Sequence, residues 1–355
     1  VDGVDELSYD AIGAFLSAAW ELDVWGRIRR ANESAEANLL AQEYVRRGVM
    51  LTLVSDVALG YFRLLRLDRE LEIARESNGV YRETFDLFNV RFEAGRDSRL
   101  PVGRAEAAYS NSLARVADLE RQIAQQENAL SVLIGAYPGD IPRGRPLTEQ
   151  TMPQTPVGLT SDLLKRRPDI LRAEQTMIAA NAEVGVAIAN FFPRIGLSAL
   201  AGTQSFDADE FDGDFDVWNI LGNITGPLFT GGRLGSIYDE RRAFWDESVA
   251  SYRHTILVAF QDTSDALIAQ RTLAARRAAQ EREVAALRQS VDFSLIRYRA
   301  GRASYFEVIE SEQQLFPAQD SLAQTTEAQL IATVNLYKAL GGGWNLTNEQ
   351  WMQPN

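Results

Sequence analysis

Three stretches of the chain alternate apolar and polar residues. Ile12, Ala14, Leu16, Ala18, Trp20 and Leu22 occupy every second position of the first. In a second, Ile195 to Gln204, the apolar set is Ile195, Leu197, Ala199 and Ala201. In a third, Trp218, Ile220 and Ile224 alternate with Asn219, Asn223 and Thr225. A period of two predicts β-strands with one apolar face and one more polar face.

After the first and third strands the pattern becomes helical and stays so. No proline interrupts Gly26 to Ala94 or Gly232 to Ala300. Roughly 70 helical residues span about 100 Å at 1.5 Å per residue. Each run stops at the same motif, RFEAGR at 91–96 and RYRAGR at 297–302. Gly95 and Gly301 suit the left-handed position past a helix end, so each motif predicts a helix stop and a tight reversal. A return helix follows. In the first, Val116, Leu119, Ile123, Leu130 and Leu133 keep a spacing near 3.5, with Gln126 as a gap. In the second, Val308, Leu315 and Leu322 are seven apart, as are Ile309, Phe316, Ala323, Leu330 and Tyr337. That period predicts left-handed coiled-coil packing. Pro317 predicts a local kink in this helix, which ends at Gly341-Gly342-Gly343.

The two halves align at an offset of 206: Leu22 with Leu228, Gly26 with Gly232, Arg27 with Arg233, Asp56 with Asp262 and Gly95 with Gly301. Asn128 and Leu133 align instead with Asn335 and Leu340, one residue further on, which suggests an insertion. A period this long indicates duplication of a whole unit, a strand pair with a long hairpin, and not a solenoid. Between the halves lies a proline-rich linker, Asp140 to Thr160, with Pro142, Pro146, Pro153 and Pro156. A helix from about Asp162 to Asn190 follows, with Pro168 splitting off a short first turn.

Composition narrows the function. The 355 residues contain no cysteine, which excludes disulfides, thiolate chemistry and cysteine-based zinc sites. The one histidine, His254, lies in the helical run SYRHTILVAF and reads as structural. No paired-carboxylate cleft, phosphate loop or metal cluster is apparent, so neither an enzyme nor a cofactor is expected. A net charge of −13 disfavours nucleic acid as a partner. There is no run of about 18 apolar residues, so no transmembrane helix is expected. No signal peptide is visible either.

Three strands are too few to close a membrane barrel, and open sheet edges are not tolerated in lipid. Either the strands form a small soluble sheet, or several chains pool them into one barrel. A hairpin about 100 Å long poses the matching problem, because it cannot bury its apolar stripe alone. Side-by-side hairpins in a ring can. The pooled reading expects a partner strand upstream of Val1 for the first half.

A specific motif then appears at Leu164–Ser205: LKRRPDILRAEQTMIAANAEVGVAIANFFPRIGLSALAGTQS. It resembles the outer-membrane efflux proteins, the TolC-like exit ducts, and within them the NodT-type lipoprotein branch that serves resistance-nodulation-division (RND) pumps. Arg166–Ile170, Ala179–Ala182 and Phe191–Pro193 carry the likeness, with Trp20–Arg27, Leu228–Arg233 and Val334–Trp344. The resemblance implies a homotrimer with a mainly α fold and membrane β-structure. A twelve-stranded outer-membrane β-barrel, four strands per chain, would continue into a periplasmic α-helical barrel. The segments would be a strand (1–25), a first hairpin (26–139), an equatorial linker (140–160), a helix to the barrel (161–193), a β-hairpin (194–230), a second hairpin (231–343) and an equatorial tail (344–355). The lipid-bearing cysteine of that branch is expected upstream.

The implied function is passive conduction of drugs or other small solutes across the outer membrane, with outer-membrane lipid around the barrel. A periplasmic adaptor and an inner-membrane RND-type pump would be the partners. The two glycine turns would form the periplasmic mouth and meet the adaptor through Arg91, Gly95, Arg96, Asp97, Arg99, Arg297, Gly301, Arg302 and Ala303. Relatives often carry an aspartate where this chain has Ala303, which puts an acidic ring at that level in doubt. The run DADEFDGDFD holds six acids, Asp207, Asp209, Glu210, Asp212, Asp214 and Asp216, and is expected to be a solvated extracellular loop. It lacks the spacing of an EF-hand. A type I protein-secretion duct and a soluble coiled-coil scaffold are the alternatives. No copper or silver relay is indicated.

Overall fold

The computed structural model describes residues 12–152, 163–205 and 215–342. Its elements are β1 (Ile12–Leu22), α1 (Arg27–Glu93), α2 (Arg99–Leu133), a 3₁₀ turn (Leu147–Glu149), α3 (Leu163–Arg166), α4 (Pro168–Ala189), β2 (Arg194–Ser205), β3 (Phe215–Thr225), α5 (Arg233–Arg299) and α6 (Tyr305–Ala339). The contacts divide the chain into two units, Val1–Tyr44 with Leu171–Thr255, and Val45–Ile170 with Ile256–Asn355.

The first unit holds an antiparallel sheet in the order β1-β2-β3. Its register puts one parity of each strand on one face. Leu16 pairs with Ala201, which pairs with Trp218; Ala18 pairs with Ala199, which pairs with Ile220. This face is apolar and open: Leu16 is 80% exposed, Trp218 75% and Ile220 71%. The opposite face carries Ser17, Ser198, Asn219 and Asn223. There Gly202 lies under Phe15, where an added Cβ would sit 2.7 Å from the ring and 2.1 Å from the Ala14 carbonyl oxygen. β3 begins three residues before the Trp218 expected from the alternation, because its pairing continues to Phe215.

Below the sheet, Asp23 caps α1. Its Oδ1 accepts the Ile28 N–H and its Oδ2 the Arg29 N–H, both at 2.9 Å. Trp25 donates from Nε1 to the Pro193 carbonyl at 2.7 Å and stacks on Phe192 at 4.6 Å. The Trp-Gly-Arg and Phe-Phe-Pro segments thus meet at one joint.

The second unit is helical, and α6 is its central helix. Leu315 and Ala318 pack with Val284 of α5, while Ala323 and Leu330 pack with Leu65 of α1. The two heptad rows read on α6 therefore serve two different neighbours. α2 packs on α1 through Leu119, Leu67 and Ala74. The gap at Gln126 is filled: its Nε2 donates to the Gly60 carbonyl at 3.0 Å. Gly60 permits that approach, since an added Cβ would lie 2.8 Å from Leu130 Cδ2. α6 is unbroken across Pro317, which leaves the Gln313 carbonyl without its usual i+4 donor.

One expectation changes. α1 and α5 both have 67 residues and α2 and α6 both 35, and every boundary of the second pair lies 206 after the first. The terminal glycines Gly135 and Gly341 keep that offset, so the shift read at Asn128 and Asn335 does not displace the helix ends. α1 also contains an 18-residue stretch of mean hydropathy 1.5, by length and composition only, of which 17% is buried. Its apolar residues are interspersed with charge, so no continuous run shows. Val49 and Val54 on this helix are 61% and 62% exposed.

Candidate functional site

The two glycine turns are built alike. Gly95 and Gly301 both have φ +67°. Gly95 N–H donates to the Phe92 carbonyl and Arg96 N–H to the Arg91 carbonyl, both at 2.9 Å. In the second turn Gly301 donates to Tyr298 at 2.9 Å and Arg302 to Arg297 at 2.8 Å. These reversed bonds satisfy carbonyls that the helix end leaves free. Ser98 and Ser304, both extended, then start the return helices.

The side chains at these turns divide into two groups. Arg91 pairs with Asp97 (Nε–Oδ2 2.7 Å), and Arg297 lies 3.7 Å from Glu307. Arg96, Arg99 and Arg302 are exposed and form no ion pair among the described residues. The turns come together around a cavity of about 410 Å³, with Arg91, Asp97 and Ala303 on its wall. Sequence reasoning missed its aromatic lining. Tyr305 is its centre: its ring meets Tyr298 at 4.9 Å and Phe88 at 5.7 Å, and its hydroxyl lies 2.9 Å from Thr84 Oγ1. The seven-residue spacing of Tyr298 and Tyr305 across the turn was the available signal.

Just above this cavity Glu312 is buried, 6% exposed, and its Oε2 has no hydrogen-bond partner. Burial, then the Glu83 carboxylate, push its pKa up to about 7. Further along, where α6 meets α1, acids of both helices face arginines. Glu70 accepts from Arg66 at 2.6 Å and Gln324 at 3.2 Å, and Arg66 also pairs with Glu327 at 2.6 Å. Asp320 lies 3.5 Å from Arg115 and is pushed up to about 6, by burial first and Glu70 second.

The linker is held at two points. Arg143 forks onto Asp68 (3.0 and 3.2 Å) and also pairs with Glu127; the Asp68 hydrogen bonds raise its pKa. Tyr61 Oη accepts the Gly144 N–H at 2.7 Å. The Arg-Arg-Pro-Asp motif acts as a clamp. Arg167, 7% exposed, donates to Asp169 (2.7 Å), to Asp262 (2.9 Å) and to the carbonyl of Ala339, the last residue of α6 (3.1 Å).

The acidic run is only partly in view. Asp207, Asp209, Glu210, Asp212 and Asp214 lie outside the described residues. Asp216 does not belong to a loop: it is in β3, opposite Thr203, because strand pairing continues past it. His254 is exposed on α5.

Comparison with known proteins agrees with this architecture. Residues 1–136 and 159–342 match the outer membrane efflux protein family. The solvent efflux pump outer membrane protein SrpC of Pseudomonas putida is 37% identical over 335 residues, covering 94% of this chain and 71% of that protein. The cation efflux system protein CusC of Escherichia coli is 32% identical over 332 residues, covering 93% and 72%. Among solved structures, CusC superposes with a TM-score of 0.86 at 31% identity, covering 96% of this chain and 80% of the other. The open state of the MtrE outer membrane channel of Neisseria gonorrhoeae gives 0.83 at 28%, covering 95% and 80%. With most of its length matched in sequence and nearly all of it in fold, the chain belongs to the outer membrane efflux protein family.

Proposed function

We infer that the chain is one stave of a trimeric exit duct: a channel of the outer membrane that passively conducts drugs or other small solutes delivered by a tripartite pump. The observation that carries this reading is the sheet. Its apolar face is almost wholly exposed, and β1 and β3 each leave one edge without a partner among the described residues. In lipid such edges cost several kcal/mol per unpaired backbone group, so the strands need neighbours from other chains. Three copies contributing four strands each would close a twelve-stranded barrel. The equal helix pairs, offset by 206, support a duplicated unit, each half a strand pair and a hairpin.

The glycine turns then form the periplasmic mouth. Arg96, Arg99 and Arg302, free of carboxylate partners among the described residues, are the residues for a periplasmic adaptor to engage, with an inner-membrane RND-type pump beyond it. Arg91 and Asp97 hold the turn shut on itself. Placement in the NodT-type branch rests on the Arg-Arg-Pro-Asp-Ile segment.

Two measurements test this. Electron microscopy of detergent-purified protein should show three chains around a lumen; a lone compact subunit overturns the reading. Charge reversal at Arg96 and Arg302 together should leave particle stoichiometry unchanged and reduce adaptor cross-linking about tenfold or more, as expected for several desolvated charge contacts. Unchanged cross-linking removes these arginines from the contact.

A further inference from the structure

α6 is held in two different ways along its length, and the change falls at Pro317. Beyond that residue, charged groups fasten the helix. Asp320 faces Arg115 of α2 at 3.5 Å, Gln324 donates to Glu70 of α1 at 3.2 Å, and Glu327 pairs with Arg66 of α1 at 2.6 Å. On the turn side, over 305–316, the one ion pair among the described residues goes to α5, Arg297 with Glu307 at 3.7 Å. Toward α1 there is a neutral hydrogen bond, Thr84 Oγ1 with the Tyr305 hydroxyl at 2.9 Å. Two edge-on ring contacts accompany it, Phe88 with Tyr305 at 5.7 Å and Tyr81 with Phe316 at 6.1 Å.

Pro317 supplies a hinge between the two parts. It has no N–H for the Gln313 carbonyl, so the helix lacks one of its i+4 bonds there.

Glu312 lies in the weakly held part. It is 6% exposed, and its Oε2 has no hydrogen-bond partner. The groups that face it bring no positive charge. From α1 come Glu83 and the Tyr81 phenol, which is bonded to Ser77. On α6 itself lies Tyr305, whose hydroxyl is engaged by Thr84. α5 meets this stretch with Val284, Leu287 and Val291, and Arg115 of α2 is engaged by Asp320 and Glu70. An uncharged carboxyl is tolerated in such a place; a carboxylate beside Glu83 is disfavoured.

We propose that Glu312 is a proton-controlled latch: protonated, it lets the 305–316 arm of α6 rest on α1; ionised, it releases the arm about Pro317. Burial, then Glu83, push its pKa up to about 7, so the change falls near neutral pH. The latched state holds a proton that the released state gives up. The latch is therefore closed below about 4.5 and is lost as pH rises through about 7. On release Tyr305 leaves Thr84 and Phe88, and the cavity between the glycine turns opens. The movement lies within the hairpins and is tested without conduction; only its effect on a duct mouth rests on the function inferred above.

The chain has no cysteine, so a single introduced thiol reports local opening. Val308, 0% exposed on the arm, and Leu330, 3% exposed beyond Pro317, are replaced by cysteine one at a time in the detergent-purified full chain. Labelling by a water-soluble maleimide is compared at each pH with labelling of the same thiol in Glu312→Gln, which cancels the titration of the thiol itself. At about pH 5 the two rates for Val308→Cys should agree. At about pH 8.5 labelling should be about tenfold faster with Glu312 than in Glu312→Gln, the ratio for a pKa that differs by about 1 between latched and released states. Leu330→Cys should show no such difference. Pro317→Ala, which restores the missing helical bond, should shrink the difference at Val308→Cys. Leu315→Cys, on the same arm, serves if Val308→Cys does not fold. Equal rates on the arm at about pH 8.5, equal acceleration of Leu330→Cys, or a difference undiminished by Pro317→Ala each overturns the proposal.

Discussion

The carboxyl of Glu312 is the residue least comfortable in its surroundings. It is buried on the face of α6 that meets α1, close to Glu83, and one oxygen is unpartnered. Tyr81 of α1 and Tyr305 of α6 also face it, and both phenols are raised by burial first and in part by Glu312 itself. A pKa raised in the folded state means that the native protein holds a proton the unfolded chain has lost. Stability therefore falls as pH rises from about 4.5 to about 7, and is level above that. Glu312→Gln should remove this slope and raise stability at pH 8 by on the order of 1–2 kcal/mol, after allowance for solvent screening. Melting temperatures of the two proteins across pH 4.5–8 decide it; parallel curves would show that Glu312 titrates normally. None of this was legible in the sequence, where Glu312 is one acid among 49 acidic residues. Its burial depends on which face of α6 meets a helix more than 200 positions earlier, and no local pattern encodes that register. The Thr84–Tyr305 contact was hidden for the same reason.

At the scale of the element the outcome is reversed. Both hairpin turns were legible, because the bonds that make them run within six residues and demand a glycine at one place. Nothing lies within 4 Å of a Cβ added to Gly95 or Gly301, so substitution there meets no clash and only the left-handed backbone resists it. Gly301→Val should cost about 1–2 kcal/mol, confined to the turn. Faster amide exchange at Arg302 with unchanged exchange in the middle of α6 is the expected result. Loss of protection along the whole helix would mean the turn organises more than itself. The strands were legible too, since a period of two needs no partner to be seen. Asp216 was misplaced because its acidic neighbours masked a strand that had already begun.

At the scale of the molecule the two faces of the sheet should respond differently to charge. Ile220 lies at the middle of β3 on the open apolar face, and Asn219 beside it on the polar one. An arginine at a lipid-facing midplane position costs about 2–4 kcal/mol. Ile220→Arg should therefore lower the fraction of assembled protein extracted from membranes, while Asn219→Arg should leave it near wild type. Equal effects would mean that neither face meets lipid. Sequence reasoning reached this level through resemblance, because periodicity alone left a soluble sheet and a pooled barrel both open. The matched lengths of the helices carry a further consequence. With 67 and 35 residues in each half, the glycine turns arrive side by side around one cavity. A deletion of one heptad from each helix of a single hairpin would draw its turn back by about 10 Å at 1.5 Å per residue. The lower rim would then be notched, with Tyr305 stranded opposite bare helix, so in this architecture length is inherited by both halves together or lost by both.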